Sequence, residues 1–199
     1  MSKTVRLVLG DQLNSNHSWF KTIDDSVTYV MMEIRTETDY TTHHIQKVVG
    51  FFSAMRQFAA ELQSQQHQVL YIQLNDVNNL QSFEKNIHHL IEKENFNHFE
   101  YQLPDEYRLD EQLKNLSQSL SITTSVCDSE HFMSSRNELG DFFEGKKNFL
   151  MESDWHKFFN CSSKRYSSGS WYSKWVNCSF SIKYLIFFSN DCKLMASFK

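Results

Sequence analysis

Val5-Arg6-Leu7-Val8-Leu9-Gly10-Asp11 is a short run of β-branched and aliphatic residues closed by a glycine and an acid. That is the pattern of a buried strand ending in a turn. The same pattern returns at Val27-Thr28-Tyr29-Val30-Met31-Met32-Glu33 and at Val69-Leu70-Tyr71-Ile72-Gln73-Leu74, the latter followed by Asn75-Asp76. A fourth run covers residues 98–103 and is stopped by Pro104, the single proline; a fifth covers 122–126, before Cys127-Asp128.

Between these runs the period changes. In residues 43–65, Val48, Phe51, Phe52, Met55, Phe58, Ala59 and Leu62 recur every three or four positions. The spacing predicts an amphipathic helix, with Thr41 or Thr42 as N-cap. Residues 79–94, with Leu80, Phe83, Ile87, Leu90 and Ile91 inward, and residues 106–120 predict two more. Strands alternating with helices imply βαβ crossovers. The expected fold class is therefore α/β: a Rossmann-like open parallel five-stranded sheet with flanking helices, plus an irregular C-terminal tail. Ligands of such sheets settle outside the strand carboxyl ends, where strand order reverses. Those ends carry Gly10 to Leu13, residues 33–40, Asn75-Asp76 and Asp128.

Charge divides the chain unevenly. Residues 151–199 hold seven Lys/Arg and three Asp/Glu, which leaves 13 basic and 21 acidic residues in 1–150. A domain so acidic repels a phosphate backbone, which argues against direct DNA binding by this chain alone. No apolar run reaches the length of a membrane span, and the N-terminus lacks a signal-peptide core, so a cytoplasmic location and no membrane partner are expected. Cys161, Cys178 and Cys192 are irregularly spaced and no C-x-x-C pair occurs, so neither a disulfide framework nor a metal site is expected.

The periodicity fails after about residue 153. Seven serines crowd residues 161–180, and Trp155, Trp171 and Trp175 all lie in this region. A basic aromatic tail could bind nucleic acid by stacking and phosphate contact. The alternative is translation out of the ancestral frame, which the abruptness of the change favours. The expected domains are 1–153 and a divergent, frameshifted or disordered tail at 154–199.

Neither G-x-G-x-x-G, G-x-x-x-x-G-K-[ST] nor G-x-S-x-G occurs, which argues against a dinucleotide fold, a phosphate loop and a serine-hydrolase elbow. Gly10-Asp11-Gln12-Leu13-Asn14 reads either as a capped turn or as a loop pointing Asp and Gln into the crevice. Glu33, Glu37, Tyr40, His43, His44 and Lys47 gather between the second strand and the long helix. His43 and Lys47, four apart, share a helix face; His44 points elsewhere, toward the sheet. Adjacent histidines diverge by about 100° on a helix and ligate one ion poorly. The cluster therefore reads either as polar contacts to an uncharged heteroaromatic ligand or as an ordinary polar helix start. No catalytic constellation is present; the domain reads as a binder.

Leu7-Val8-Leu9-Gly10-Asp11-Gln12-Leu13-Asn14, Met32-Glu33-Ile34, Glu37, Tyr40, His43-His44, Lys47 and Phe52-Ser53-Ala54-Met55-Arg56-Gln57-Phe58-Ala59 together resemble the deoxyribodipyrimidine photolyase-related proteins. This family comprises the iron–sulfur bacterial cryptochromes and (6-4) photolyases. Tyr71, Asp76, Asn78, Pro104, Tyr107-Arg108, Phe132, Ser135, Gly145-Lys146-Lys147 and Met151-Glu152 extend the likeness over about residues 4–153. The resemblance implies an antenna domain that binds 6,7-dimethyl-8-ribityllumazine through Gly10, Asp11, Leu13, Glu37, Tyr40, His43 and Lys47. It implies that FAD and a [4Fe–4S] cluster, with the light-driven electron transfer to damaged DNA, belong to a following helical domain absent from this chain. Three roles follow: a truncated photolyase or cryptochrome relative holding only a chromophore, one half of a split FAD-dependent photolyase, or a small non-catalytic interaction protein. In the last, a partner covers the surface left by the helical domain.

Overall fold

In a computed structural model of the protein, residues 3–39, 41–132 and 136–145 are described. The first compact unit ends at Ser129. It contains five strands: β1 (Thr4–Leu7), β2 (Val27–Met32), β3 (Gln68–Ile72), β4 (His98–Gln102) and β5 (Thr123–Cys127). All pair in parallel, in the order β3-β2-β1-β4-β5. The expected α/β sheet is thus observed. Strand order runs outward from β1 to β3, then resumes on the other side at β4, so the reversal lies between β1 and β4.

Alternation along the strands splits the core in two. Val5, Leu7, Val30, Met32, Phe99 and Tyr101 face the layer of α3 (Phe83–Glu94) and α4 (Tyr107–Ser119), meeting Phe83, Ile87, Leu90, Leu109, Leu113 and Leu116. Val8, Val27, Tyr29 and Met31 face α2 (Ile45–Ser64) and the 3₁₀ turn at Ser18–Phe20, meeting Phe52, Met55, Phe58, Ala59, Leu62, Trp19 and Phe20. Burying each such side chain is worth about 1.5–3 kcal/mol. A short helix, α1 (Thr36–Asp39), follows β2. The described part of the second unit contains α5 (Glu138–Phe143). The boundary at 153/154 and the whole tail lie outside the described residues. Among the described residues, no helix is long and apolar enough to cross a membrane.

Two helix starts differ from the sequence reading. The long helix begins at Ile45, and its N-cap is His44 rather than Thr41 or Thr42: His44 is extended (φ −65°, ψ 136°) and its Nδ1 accepts from Gln46 N–H at 3.2 Å. His44 is exposed and does not point to the sheet. The next helix begins at Phe83 rather than 79, because Gln81 adopts a left-handed φ of 58° and residues 79–81 are held in a polar loop. Leu80 is 47% exposed rather than inward.

That loop depends on Glu33, which follows β2 and has no exposed surface. Its carboxylate accepts from Arg56 Nε (2.6 Å) and Nη2 (2.9 Å), Tyr71 OH (2.7 Å) and Leu74 N–H (2.9 Å). Its backbone carbonyl accepts from Asn79 Nδ2 at 2.6 Å, and Asn79 Oδ1 in turn accepts from Gln81 N–H and Asn86 Nδ2. Burial alone would push the Glu33 carboxyl up; the donors from Arg56, Tyr71 and Leu74, with the guanidinium charge, outweigh it and hold the group below the usual carboxylate range.

Because the folded value is depressed, Glu33 contributes stability above its ordinary value near 4.5, and loses it as pH falls through the lower folded value. Glu33→Gln sets an amide nitrogen against these donors, and urea unfolding at neutral pH should show a loss of about 3 kcal/mol. The acid limb of the variant's stability curve should also be flatter than the parent's; parallel limbs would refute the assignment.

Candidate functional site

At the reversal of strand order, β1 and β4 are fastened together by one side chain. Gln12, 1% exposed, accepts Leu9 N–H on Oε1 at 3.1 Å and donates from Nε2 to the carbonyls of Gln102 (3.2 Å) and Leu103 (3.5 Å). Gln12 is therefore spent on the backbone and does not point into the crevice, whereas its neighbour Asp11 does line it.

A cleft of about 180 Å³ opens there, outside the strand carboxyl ends. Its apolar surface comes from both layers of the fold: Met32, Ile34, Phe83 and Leu109 from one side, Val48, Phe51, Phe52 and Met55 of α2 from the other. Its polar groups are Asp11, Glu37, Thr38, His43, Lys47 and Glu106. Two flexible thioethers and three phenyl rings around a slot suit a flat, polarisable ring system.

Of the residues singled out from sequence, Gly10, Asp11, Glu37, His43 and Lys47 line this one cleft. Leu13 does not; it packs beside the core under α2. Tyr40 lies outside the described residues. His43 precedes α2 rather than sharing its face with Lys47, yet Lys47 Nζ and His43 Nδ1 lie 3.4 Å apart.

Gly10 is needed for space. Its φ lies outside the left-handed region, but a Cβ there would collide with the Phe51 ring tip and stand 2.9 Å from Met55 Sδ. The ring tip of Phe51 therefore rests on the Gly10 backbone.

Across the mouth runs an ion-pair bridge that sequence reasoning missed. Arg108 donates from Nη1 and Nη2 to the two oxygens of Glu37, each at 3.1 Å, and from Nε to Glu106 Oε1 at 2.8 Å. The two carboxylates, with burial opposing, raise the guanidinium further above its usual value. Glu37 follows β2 and Arg108 follows β4, 71 residues on, so no local spacing could reveal the pair. Among the described residues no group of three or more His, Cys, Asp or Glu side chains is arranged to hold a metal ion.

Two comparisons bear on this geometry. A family model described as "Deoxyribodipyrimidine photo-lyase-related protein" matches residues 6–165. A curated (6-4) photolyase of Agrobacterium fabrum is 30% identical over 153 residues, which cover 76% of this chain and 30% of that protein. The match thus spans under a third of the relative's length.

The Gly10–Phe51 contact makes a stability prediction. Gly10→Ala should cost about 1–2 kcal/mol as the Phe51 ring is forced aside. In Gly10→Ala/Phe51→Ala most of that loss should vanish, so that the double variant is more stable than the sum of the single changes predicts by urea unfolding. Strict additivity would place the ring elsewhere.

Proposed function

The chain belongs to the deoxyribodipyrimidine photo-lyase-related proteins, and on that premise we propose that its α/β domain is a light-collecting domain that binds a ribityl-lumazine-type chromophore in the cleft at the β1/β4 reversal. One observation carries the reading: five residues picked out by the family motifs, from the loop after β1 to the first turn of α2, converge on a single slot whose interior is apolar and whose rim is polar.

The residues fit such a group. Met32, Met55, Phe52 and Phe83 offer a dry, polarisable enclosure for a bicyclic ring, and the polar groups at the rim suit ring amides and the hydroxyls of a ribityl chain. Glu37 accepts hydrogen bonds, while Lys47 donates. His43 does either according to tautomer. Arg108 fixes the Glu37 carboxylate before any ligand arrives, and that preorganisation lowers the cost of binding. The chromophore supplies absorption in the near ultraviolet and blue. The protein's part is to hold the ring rigidly and keep water from it.

In this reading the light collected here serves flavin chemistry carried out outside the described residues. These residues offer no ligand set for an iron–sulfur cluster, and no role for one is assigned to them. The DNA-repair activity of the (6-4) photolyase relative belongs to a protein of which this chain matches 30%, so repair by this chain is proposed only in combination with further protein. Ile45 (68% exposed) and Val49 (56% exposed), one turn apart on α2, favour a second reading in which a partner covers the domain beside the cleft.

Titration of the purified protein with 6,7-dimethyl-8-ribityllumazine should raise the ligand's fluorescence anisotropy, and the absorbance should survive desalting. Glu37→Gln should weaken binding about ten-fold, the value of one charge-assisted hydrogen bond. Unchanged anisotropy with protein in large excess would sink the reading.

A further inference from the structure

The cleft combines an apolar interior with a rim that is rich in fixed negative charge. Glu37 and Glu106 both line it, and between them they share one guanidinium, that of Arg108. Asp11 adds a third carboxylate, and Lys47 is the cationic side chain among the described lining residues. Among the described residues, and counting Arg108, three carboxylates and two cationic side chains face or brace the site. Residues 1–150 as a whole carry 21 acidic and 13 basic residues, so the field of the domain has the same sign.

Features that normally attract an anion are answered locally. The first turn of a helix has unsatisfied N–H groups and attracts phosphate. At α4 the N-cap residue is Glu106, whose side chain makes no capping hydrogen bond and pairs with Arg108 instead, so its carboxylate sets negative charge beside the first turn without closing it. At α2 the His44 ring nitrogen accepts the Gln46 N–H. The five N–H donors of a guanidinium are the usual anchors of a phosphate, but here the Arg108 fork is turned onto Glu37 and Glu106. The sequence also lacks a glycine-rich loop to cradle phosphate.

We propose that the cleft excludes anions: it takes an uncharged heteroaromatic bearing hydroxyl and N–H donors, and rejects the same ring once it is phosphorylated. This rests on the reading of the cleft as a chromophore site, and adds the charge class of the ligand. The carboxylates perform the selection. Glu37 and Glu106 each have about four lone-pair positions, so those not engaged by Arg108 accept from ligand hydroxyls, whereas a phosphate brings only more acceptors and more negative charge.

Riboflavin and flavin mononucleotide isolate the effect, because they share ring and ribityl chain and differ by the terminal phosphate. Both are titrated by flavin fluorescence quenching, with 6,7-dimethyl-8-ribityllumazine alongside. At an ionic strength of about 0.01 M, where the screening length is about 30 Å, riboflavin should bind at least about ten-fold more tightly than the mononucleotide. The ratio should shrink toward about one near 1 M, where screening falls to about 3 Å. Glu106→Gln should narrow the low-salt ratio. Equal binding of the two flavins at low salt, or tighter binding of the mononucleotide, would overturn the proposal and leave the chromophore site standing. If lumazine and both flavins all fail to bind, the proposal and the chromophore reading fall together.

Discussion

A carboxylate sealed from water cannot be left to itself, and the end of β2 is organised around that constraint. An ionised Glu33 with no exposed surface requires donors from the protein around it. Arg56 comes from the middle of α2, Tyr71 from β3, and the Leu74 N–H from the loop beyond β3. Three elements distant in sequence are thereby forced to one point. The consequence spreads outward: Leu74 begins the loop that Asn79 and Gln81 hold down, and that loop delivers Phe83 to the start of α3, where its ring walls the cleft. A pair of this kind is a weak source of net stability, because desolvation offsets most of the attraction. Its value here is specification: few other arrangements of α2, β3 and the 73–82 loop would satisfy all four acceptor sites.

Much of this was legible in the sequence where the signal is periodic. Short apolar runs closed by turn residues marked all five strands, and the stripe from Phe52 to Leu62 marked α2 and its buried face. Helix starts were less legible, because they depend on single side chains with no period. A histidine is an uncommon cap, so His44 was not distinguishable from the threonines before it. Gln12 illustrates a different limit. Its place beside Gly10-Asp11 at a strand end suggested a ligand contact, but its partners are the carbonyls of Gln102 and Leu103, about 90 residues away. A separation of 71 residues likewise concealed the pairing of Arg108 with Glu37. Five of the seven residues that the motifs named, Gly10, Asp11, Glu37, His43 and Lys47, line one cleft, while the apolar wall from Met32, Ile34, Phe83 and Leu109 looked like ordinary core until the layers were assembled.

Gly10 is held to glycine for a reason other than the expected one. Glycine at the end of a strand suggests a turn that needs a positive φ, yet this backbone is unremarkable. What is unusual is the approach of α2, which lays the tip of Phe51 directly over the peptide. The ring is 38% exposed, an open position for a phenyl group next to a cleft. Space left by a missing Cβ thus becomes part of the wall of the slot. Phe51 rests on the Gly10 backbone rather than being enclosed in the core, and its ring forms the wall of the slot at this point.

Two arginine–glutamate forks serve the same sheet end, and their difference separates structure from binding. In the first, Glu33 is fully enclosed and its lone pairs are filled by Arg56, Tyr71 and Leu74, which leaves nothing to offer a ligand. In the second, Glu37 retains 17% and Arg108 37% of their side-chain exposure, and Glu37 keeps lone pairs that the fork does not use. Both pairs tie the end of β2 to another element: Glu33 to α2 and β3, Glu37 to the start of α4. The enclosed fork holds the scaffold, and the open one presents a carboxylate whose position is already set but whose acceptor capacity is not exhausted. A site that must discriminate by charge needs the second kind, since a carboxylate with no spare acceptors cannot reward a donor, and one without an anchor would turn away from a phosphate at little cost.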